Sequence, residues 1–447
     1  MSLNHLLQQR LQDEGPVRVG LIGAGKFGSM FLSQVPTSKG LAVSVIADLD
    51  PQRARDVCAA VGWEPERMAC TRFIEDGGAL IAADDVDVVV EATGHPAAGV
   101  THARRAMREG KDVVMVNVEA DVLAGPLLAR EAEAAGIVYS MAYGDQPALT
   151  CELVDWGRLC GFEVVAAGKG TQYLPVYHAS TPATVWDYYG LTAAQAEAAR
   201  MNSQMFNSFL DGTKSAIEMA AIVNATGLTP APGGLTFPPC GTDDLPHVMR
   251  PCEEGGLLHH KGQVEVVSSL ERDGRPVFRD LRWGVYVVFE APNTYAANCF
   301  RQYGLITDDT GRYAAMYKPY HLIGLELNVS VFSAALRREP TGCMTGFRGD
   351  VVATAKRPLA AGEMLDGEGG YTVWGRLMTA RDSLALGGLP IGLAHGVTLK
   401  RDIAAGSPVR WQDVSLPDTF EALEARQAME CAFREEWHLP EVLVEAT

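Results

Sequence analysis

The stretch Val17-Arg18-Val19-Gly20-Leu21-Ile22-Gly23-Ala24-Gly25-Lys26-Phe27-Gly28 decides the fold of this chain. An apolar, strand-like run enters a Gly-x-Gly-x-x-Gly turn, and a helix-like run follows the turn. A second apolar run then ends at Asp48, twenty residues after Gly28. A strand, a glycine turn, a helix and a second strand that ends in an acid are the parts of a dinucleotide-binding βαβ unit. The sequence therefore predicts such a unit here.

The residues of the turn have distinct expected roles in holding a dinucleotide. Gly23 permits the tight turn, Gly25 lets the backbone approach a pyrophosphate, and Gly28 lets the helix pack closely on the sheet. The helix begins at Lys26 and Phe27, where its free amides attract an anion. We expect all five residues to lie at the cofactor.

The residues after the second strand leave the choice of cofactor open. Asp48 is placed to accept hydrogen bonds from the adenosine ribose, which favours NAD. Arg53 and Arg55 follow closely and could instead hold the 2′-phosphate of NADP.

Composition restricts the class of protein. A chain of 447 residues is long enough for two or three domains. Its formal net charge of −17 predicts no nucleic-acid partner and no attraction to an anionic membrane. Nine singly spaced cysteines indicate reduced thiols and a cytoplasmic location. We also expect neither a signal peptide nor a membrane span, because no long apolar run occurs.

The first part of the chain alternates between strand and helix patterns. We predict helices over 51–60, 97–109 and 123–135, and strands over 86–92, 112–118 and 137–141. Short connections between such elements favour an α/β fold with a Rossmann-type, doubly wound parallel sheet. We assign this dinucleotide-binding domain to residues 1–160.

The pattern changes near residue 161. Short strands over 163–167, 262–270 and 281–291 surround one long predicted helix, over 203–225. A further buried helix over 319–337 is expected to return to the first domain. We predict an α+β domain for substrate binding and dimerisation over residues 161–338.

Two predicted strand ends in the first domain carry candidate site residues. Thr93 and Gly94 end one strand on the edge where parallel sheets bind ligands, so we expect them to border the nicotinamide. His95 beside them is interpreted as structural. Glu119 follows the next strand and either faces the reaction or serves only as an acid at a helix N-terminus.

Lysines and acids in the second part are the catalytic candidates. Lys169 lies between two glycines after a strand, where it could reach a carbonyl, a phosphate or a carboxylate. Asp211 and Lys214 are three residues apart on the predicted helix and would share a face. Such a pair could supply the acid or base and the polarising cation that a dehydrogenase needs.

Three more residues are candidates for contacting the substrate. They are Asn202, Lys318 and His321.

The last part of the chain resembles the SAF domain, a small β-rich module. The segments Leu389-Pro-Ile-Gly-Leu-Ala-His-Gly-Val and Asp402-Ile-Ala-Ala-Gly-Ser-Pro-Val carry its turn motifs. The resemblance covers about 65 residues, and we assign residues 345–447 to this domain and a C-terminal helix.

Residues 15–335 resemble homoserine dehydrogenase. The shared features are the glycine turn, the Ala92-Thr93-Gly94 strand end and the Asp211-x-x-Lys214 segment. In that family a lysine follows the strand that here leads into Asn117-Val118-Glu119, and its absence argues against homoserine as the substrate. The resemblance implies a homodimer.

The whole chain more closely resembles the 1-deoxy-D-xylulose 5-phosphate reductoisomerase-like enzymes, which have a homoserine dehydrogenase-like fold. This resemblance implies conversion of that phosphorylated sugar to 2-C-methyl-D-erythritol 4-phosphate, in isoprenoid precursor synthesis, with NADP(H) rather than NAD(H). Mg²⁺ or Mn²⁺ could polarise the ketone in place of a lysine, although no motif identifies its ligands. Two alternatives remain open: a homoserine, polyol or sugar-acid dehydrogenase without isomerisation, and a protein that senses NAD(P)H.

Overall fold

The computed structural model of the protein describes residues 2–199, 201–416 and 419–439. The chain forms two compact units, each built from separate stretches of sequence. The first unit contains Met1–Glu152, His321–Thr345 and Glu421–Arg426. The second unit contains Leu153–Tyr320, Gly346–Phe420 and Gln427–Thr447.

The β-strands are β1 (Val17–Ile22), β2 (Leu41–Ala47), β3 (Arg72–Ile74), β4 (Val88–Glu91), β5 (Asp112–Met115), β6 (Tyr139–Met141), β7 (Glu163–Thr171), β8 (Gln263–Ser268), β9 (Val285–Glu290), β10 (Ile306–Thr307), β11 (Tyr313–Lys318), β12 (Gly349–Ala355), β13 (Met364–Asp366), β14 (Val373–Thr379), β15 (His395–Leu399) and β16 (Val414–Ser415). The α-helices are α1 (Leu3–Asp13), α2 (Lys26–Gln34), α3 (Pro51–Ala60), α4 (Pro65–Ala69), α5 (Gly77–Ile81), α6 (Pro96–Arg108), α7 (Val118–Ala135), α8 (Gln146–Leu159), α9 (Val185–Tyr189), α10 (Ala193–Ala198), α11 (Ser203–Leu210), α12 (Thr213–Thr226), α13 (Leu245–Val248), α14 (Thr294–Gln302), α15 (Asn328–Phe332), α16 (Ala380–Leu386) and α17 (Glu421–Trp437).

The first unit is built on a parallel sheet of six strands in the order β3-β2-β1-β4-β5-β6. This is the strand order of a doubly wound dinucleotide-binding fold, and it confirms the predicted fold class. The order reverses between β1 and β4, so a crevice opens at the carboxyl ends of these two strands. Fully buried side chains such as Val19, Leu21 and Val90 form the core around the central strands.

Two predicted boundaries in this unit are wrong. The strand predicted over 112–118 ends at Met115, and the helix predicted from residue 123 already begins at Val118. Asn117 ends the strand because its side chain accepts a hydrogen bond from the amide of Ala120 and caps α7. The first turns of α7 are so buried that their apolar sequence resembled a continuation of the strand.

The second unit contains a mixed sheet in the order β10-β11-β9-β7-β8. Within this sheet, β7 pairs in parallel with β8 and antiparallel with β9. The strand predicted over 163–167 continues to Thr171. A side chain at Gly168 or Gly170 would overlap a carbonyl group of a neighbouring segment, so these glycines serve close backbone packing rather than a mobile loop.

The long helix predicted over 203–225 is two helices. α11 ends at Leu210, and α12 begins at Thr213 after Gly212. Gly212 has φ +91°, a left-handed conformation that interrupts a right-handed helix. Asp211 therefore follows α11 as its C-terminal cap, whereas Lys214 lies in α12, and the prediction that they share one helical face is wrong.

The return segment predicted as one helix over 319–337 is only partly helical. α15 covers Asn328–Phe332 and continues as a π-helix over Ser333–Arg337. Before it, Gly324 has φ +72°, and a side chain there would lie 2.8 Å from the carbonyl oxygen of Phe27. This close packing against α2 requires a turn instead of a helix.

The last part of the chain forms short strands inside the second unit. β12 and β14 pair antiparallel, and β13, β15 and β16 form a three-stranded sheet. Both β12 and β14 pack against α12. The predicted boundaries at 160, 338 and 345, and the SAF assignment, stay predictions.

Within the three described ranges, no helix is both long enough and apolar enough to cross a membrane.

Candidate functional site

The glycine turn after β1 has the shape that a dinucleotide needs. Gly23 has φ +95°, and a side chain there would lie 2.6 Å from the carbonyl oxygen of Ala92. A side chain at Gly28 would overlap the carbonyl oxygen of Gly23, so only glycine lets α2 approach the turn. Gly25, at the N-terminal cap of α2, has no atom within 4 Å of its missing side chain. This open space, next to the amides of Lys26 and Phe27, fits a pyrophosphate group.

Asp48 lies just after β2 and is held by several hydrogen bonds. Its carboxylate accepts from the amides of Ala24 and Asp50, at 2.9 and 3.0 Å, and from Arg53 at 2.7 Å. Burial acts to raise the pKa of Asp48, but these hydrogen bonds outweigh it and the pKa is lowered. The site thus combines an ionised ribose acceptor with an adjacent exposed guanidinium. Arg55, by contrast, lies over the ring of Phe73 at 4.2 Å.

A buried carboxylate at the end of β4 supports the next loop. Glu91 is fully buried and accepts a hydrogen bond from the hydroxyl of Thr93 at 2.6 Å. His102 lies 3.2 Å from the same carboxylate. Asn117 donates to the carbonyl oxygen of His95 at 2.9 Å and so ties this loop to the end of β5. Glu91 and His102 were not predicted from the sequence, although an acid inside an apolar strand is a signal that could have identified Glu91.

The predicted residues Thr93, Gly94 and Glu119 lie at strand ends of the same sheet. Gly94 has φ +69° and no atom within 4 Å of its missing side chain. His95 caps α6, because its ring nitrogen accepts from the amide of Ala98 at 3.3 Å. Glu119 is half-buried in the first turn of α7.

In the second unit, Lys169 and Glu218 form a buried ion pair between β7 and α12. Lys214 lies four residues before Glu218, so these two side chains occupy the same side of α12. Glu218 therefore pairs with Lys169 and shares one side of α12 with Lys214, although the sequence suggested separate motifs. Glu218 was missed because nothing in its local sequence distinguishes it from an ordinary helical acid.

Asp211 is also buried, and its partner comes from a distant part of the sequence. Lys356, just after β12, makes an ion pair with the Asp211 carboxylate at 2.8 Å. The Lys356 ammonium also donates to the carbonyl oxygens of Ser180 and Gly370. Burial raises the pKa of Asp211, and the ion pair with Lys356 opposes the shift. Asp211 is thus enclosed and anchored, which suits a structural role more than proton transfer to a substrate.

His178 contacts the backbone of the same turn. Its Nδ1 lies 2.7 Å from the carbonyl oxygen of Asp211, which can only accept, so Nδ1 carries the proton. Its Nε2 lies 2.9 Å from the hydroxyl of Tyr173. Burial lowers the pKa of His178, consistent with a neutral ring.

The three predicted substrate residues occupy separate places. Asn202 is exposed and caps α11 by accepting from the amide of Met205 at 3.1 Å. Lys318 is half-buried at the end of β11, in the second unit. His321 belongs to the first unit. A role in substrate binding stays a prediction for all three.

The residues present do not form an evident metal site. Across the described ranges, no group of three or more His, Cys, Asp and Glu side chains is arranged to hold a metal ion.

Two family models match this chain in adjacent regions. Residues 23–140 match the NAD-binding domain of homoserine dehydrogenase. Residues 144–327 match the catalytic domain of oxidoreductase DRL. The first match confirms the resemblance to homoserine dehydrogenase for the dinucleotide-binding part.

A curated relative matches over a shorter length. An inositol 2-dehydrogenase from Acidothermus cellulolyticus is 40% identical over 81 residues, which is 18% of this chain and 22% of the relative. The match therefore spans about a fifth of that protein.

Two solved structures match at low sequence identity. A 3-ketoreductase from Actinomadura kijaniata, solved with NADP, is 21% identical with a TM-score of 0.27 and covers 36% of this chain and 50% of its own. A scyllo-inositol dehydrogenase from Lactobacillus casei is 14% identical with a TM-score of 0.27, and the match covers 39% of this chain and 48% of the dehydrogenase chain. We base no conclusion on likenesses at this level. The family models and the geometry of the glycine turn together support an NAD(P)-dependent oxidoreductase with a homoserine dehydrogenase-type NAD-binding domain.

Proposed function

We propose that this protein is an NADPH-dependent reductoisomerase that converts 1-deoxy-D-xylulose 5-phosphate to 2-C-methyl-D-erythritol 4-phosphate. The observation that carries the proposal is the buried Lys169–Glu218 ion pair, with Lys214 one helical turn away. The resemblance of the whole chain to reductoisomerase-like enzymes and the match to oxidoreductase DRL support it.

The first unit would hold the cofactor through the glycine turn, with Arg53 near the 2′-phosphate and Thr93 and Gly94 near the nicotinamide. When bound, NADPH supplies a hydride. Glu91 would fix the Thr93 hydroxyl, and thereby the loop that borders the ring.

The residues of the second unit would serve the rearrangement. This step moves one carbon–carbon bond and converts the ketose phosphate into an aldehyde of the same composition. Reduction then adds one hydride and one proton. Lys214 and Lys169 can stabilise negative charge that develops on the carbonyl oxygen, and Glu218 can accept and return a hydroxyl proton.

The proposal is tested by following NADPH absorbance with purified protein and 1-deoxy-D-xylulose 5-phosphate, with and without Mg²⁺ or Mn²⁺. We expect NADPH consumption, a branched tetritol phosphate as product, and loss of turnover in Lys214→Met. Arg275→Met, in an exposed turn of the second unit, serves as the control. A lack of turnover by wild-type protein that still binds NADPH would overturn the proposal.

A polyol dehydrogenase is the second candidate, and the match to inositol 2-dehydrogenase favours it. Such an enzyme would need the same lysines to polarise a carbonyl but no rearrangement. Reduction of NAD⁺ or NADP⁺ in the presence of inositol, without turnover of the sugar phosphate, would support this candidate.

We further propose a cytoplasmic homodimer, following the resemblance to homoserine dehydrogenase and the cysteine pattern. Light scattering coupled to size-exclusion chromatography would give the mass directly. A monomeric mass across the micromolar range would contradict the dimer.

A further inference from the structure

A cavity of about 230 Å³ in the second unit is lined in part by Gly212. Its volume is well above the roughly 15 Å³ that a single water molecule requires. The rings of His178, Phe237 and Trp374 line the cavity together with the side chain of Arg376. The cavity thus combines flat apolar walls with one cationic group.

Arg376 has unused hydrogen-bonding capacity. Its guanidinium donates to the carbonyl oxygen of Gly233 at 3.1 Å. No carboxylate in the described part of the chain lies within ion-pair distance of it. A guanidinium has five N–H donors, and the chain as a whole carries a formal charge of −17. An arginine that lines a cavity without an acidic partner, in so acidic a protein, is suited to bind an anion.

The aromatic walls are held rigidly. His178 stacks on Trp374 at 4.0 Å, and Tyr173 stacks on Phe237 at 4.1 Å. Phe237 is buried with φ +51°, an unfavourable conformation for a bulky residue.

The buried carboxylate of Glu265 maintains this strained wall. It accepts hydrogen bonds from the amides of Thr236 and Phe237, at 3.1 and 3.3 Å. Strained backbone of this kind persists only where the surroundings fix it, and it is concentrated at functional sites. The hydrogen bonds of Glu265 thus hold the strained segment of the cavity wall in place.

We propose that this cavity binds a small organic anion. Its carboxylate or phosphate ester group would contact Arg376, and its planar or apolar body would lie against Trp374 and Phe237. This inference uses neither the dinucleotide nor the reaction and does not rest on the proposed function.

The test is calorimetric titration of the full chain, without NADPH, with four probes: benzoate, phenyl phosphate, phenol and inorganic phosphate. We expect benzoate or phenyl phosphate to bind more tightly than phenol and inorganic phosphate, and the tighter of the two identifies the anionic group. Loss of a charge-assisted hydrogen bond in Arg376→Met should weaken binding about tenfold or more. Arg376→Lys should retain part of the affinity, and the exposed control Arg275→Met should retain all of it.

Three results would overturn the proposal. They are equal binding by Arg376→Met and wild type, phenol binding as tightly as both charged aromatic probes, and no binding of any probe at millimolar concentration. Thermal unfolding of each variant checks that the fold is retained. Because the titration contains no NADPH and measures no turnover, its outcome is separate from that of the reductoisomerase assay.

Discussion

At the scale of single residues, Asp48 and Arg53 form an ion pair. The acid that favours NAD and an arginine that could hold the 2′-phosphate of NADP therefore lie in one site. Asp48 is buried and ionised, whereas more than half of the Arg53 side chain is exposed. Arg53 can therefore turn towards a 2′-phosphate without unfolding its surroundings. The residue types alone could not indicate this arrangement, because binding sites for NAD and for NADP can both contain acids and arginines in this region.

We predict that Arg53→Ala weakens NADPH binding about tenfold, since a charge-assisted contact to phosphate is lost. Binding of NADH should be unchanged or tighter, because Asp48 becomes free to accept from the ribose. Fluorescence titration with both cofactors measures the effect. Arg55→Ala is the matched control, because Arg55 lies over Phe73. An equal loss of affinity for both cofactors would show that Arg53 only positions Asp48.

A second prediction concerns the buried Lys169–Glu218 pair. Lys169→Met removes the buried ammonium group that is paired with the Glu218 carboxylate and should lower the free energy of unfolding by about 3–5 kcal/mol. Lys169→Met combined with Glu218→Leu should recover much of this loss, because both members of the buried ion pair are then apolar.

Urea denaturation of the two single variants and the double variant measures the coupling. If the double variant is as unstable as the sum of the two single variants, the two side chains do not interact. If the double variant is stable and still turns over substrate, the pair has no part in catalysis.

At the scale of elements, two glycines of the segment β1–turn–α2 have different roles. Gly28 is required for folding, whereas Gly25 is expected to serve cofactor binding. Gly25→Ala meets no protein atom within 4 Å, whereas Gly28→Ala would overlap the backbone of Gly23. We predict that Gly25→Ala keeps wild-type stability but weakens NADPH binding about tenfold or more, because the methyl group occupies the space of the pyrophosphate.

Gly28→Ala should instead destabilise the first unit by about 1–3 kcal/mol, as expected for overpacking. Thermal unfolding and NADPH titration of both variants distinguish the two effects. Unchanged NADPH affinity in Gly25→Ala would place the pyrophosphate elsewhere.

The helix α7 carries a buried acid that makes stability depend on pH. Burial raises the pKa of Asp121 to about 7, while the hydrogen bond from Tyr139 acts in the opposite direction. The unfolded chain releases this proton near pH 4, so the folded state binds more protons between about pH 4 and pH 7. Stability contributed by this group is thus lost as the pH rises through that window.

We predict that the wild type loses stability relative to Asp121→Asn from about pH 4 to about pH 7, with a slope of up to about 1.4 kcal/mol per pH unit. The difference should then be constant at higher pH. Urea denaturation of both proteins from pH 4 to pH 9 measures it. A difference that does not change with pH would mean that Asp121 titrates normally.

At the scale of the whole molecule, the strands that follow residue 345 are built into the second unit. Lys356 neutralises the buried Asp211, and β12 and β14 pack on α12. We predict that residues 346–447 expressed alone do not fold, and that a chain ending at residue 345 lacks a cooperatively folded second unit. Circular dichroism and thermal unfolding of both fragments test this. Cooperative unfolding of the isolated C-terminal fragment would instead support an independent SAF-like domain.

The sequence by itself determined the dinucleotide-binding fold and the position of its glycine turn. These features depend on local rules: a left-handed turn at Gly23, an open approach at Gly25 and close packing at Gly28. It also located Lys169 and Lys214, although not the buried Glu218 that pairs with Lys169.

Only the tertiary structure decided which side chains meet. Glu218 pairs with Lys169 across 49 residues, and Lys356 pairs with Asp211 across a longer separation. The pairing of buried charges depends on how helices and strands pack, so no local sequence pattern predicts it. For the same reason the break at Gly212 and the cavity at Arg376 became visible only when distant segments were brought together.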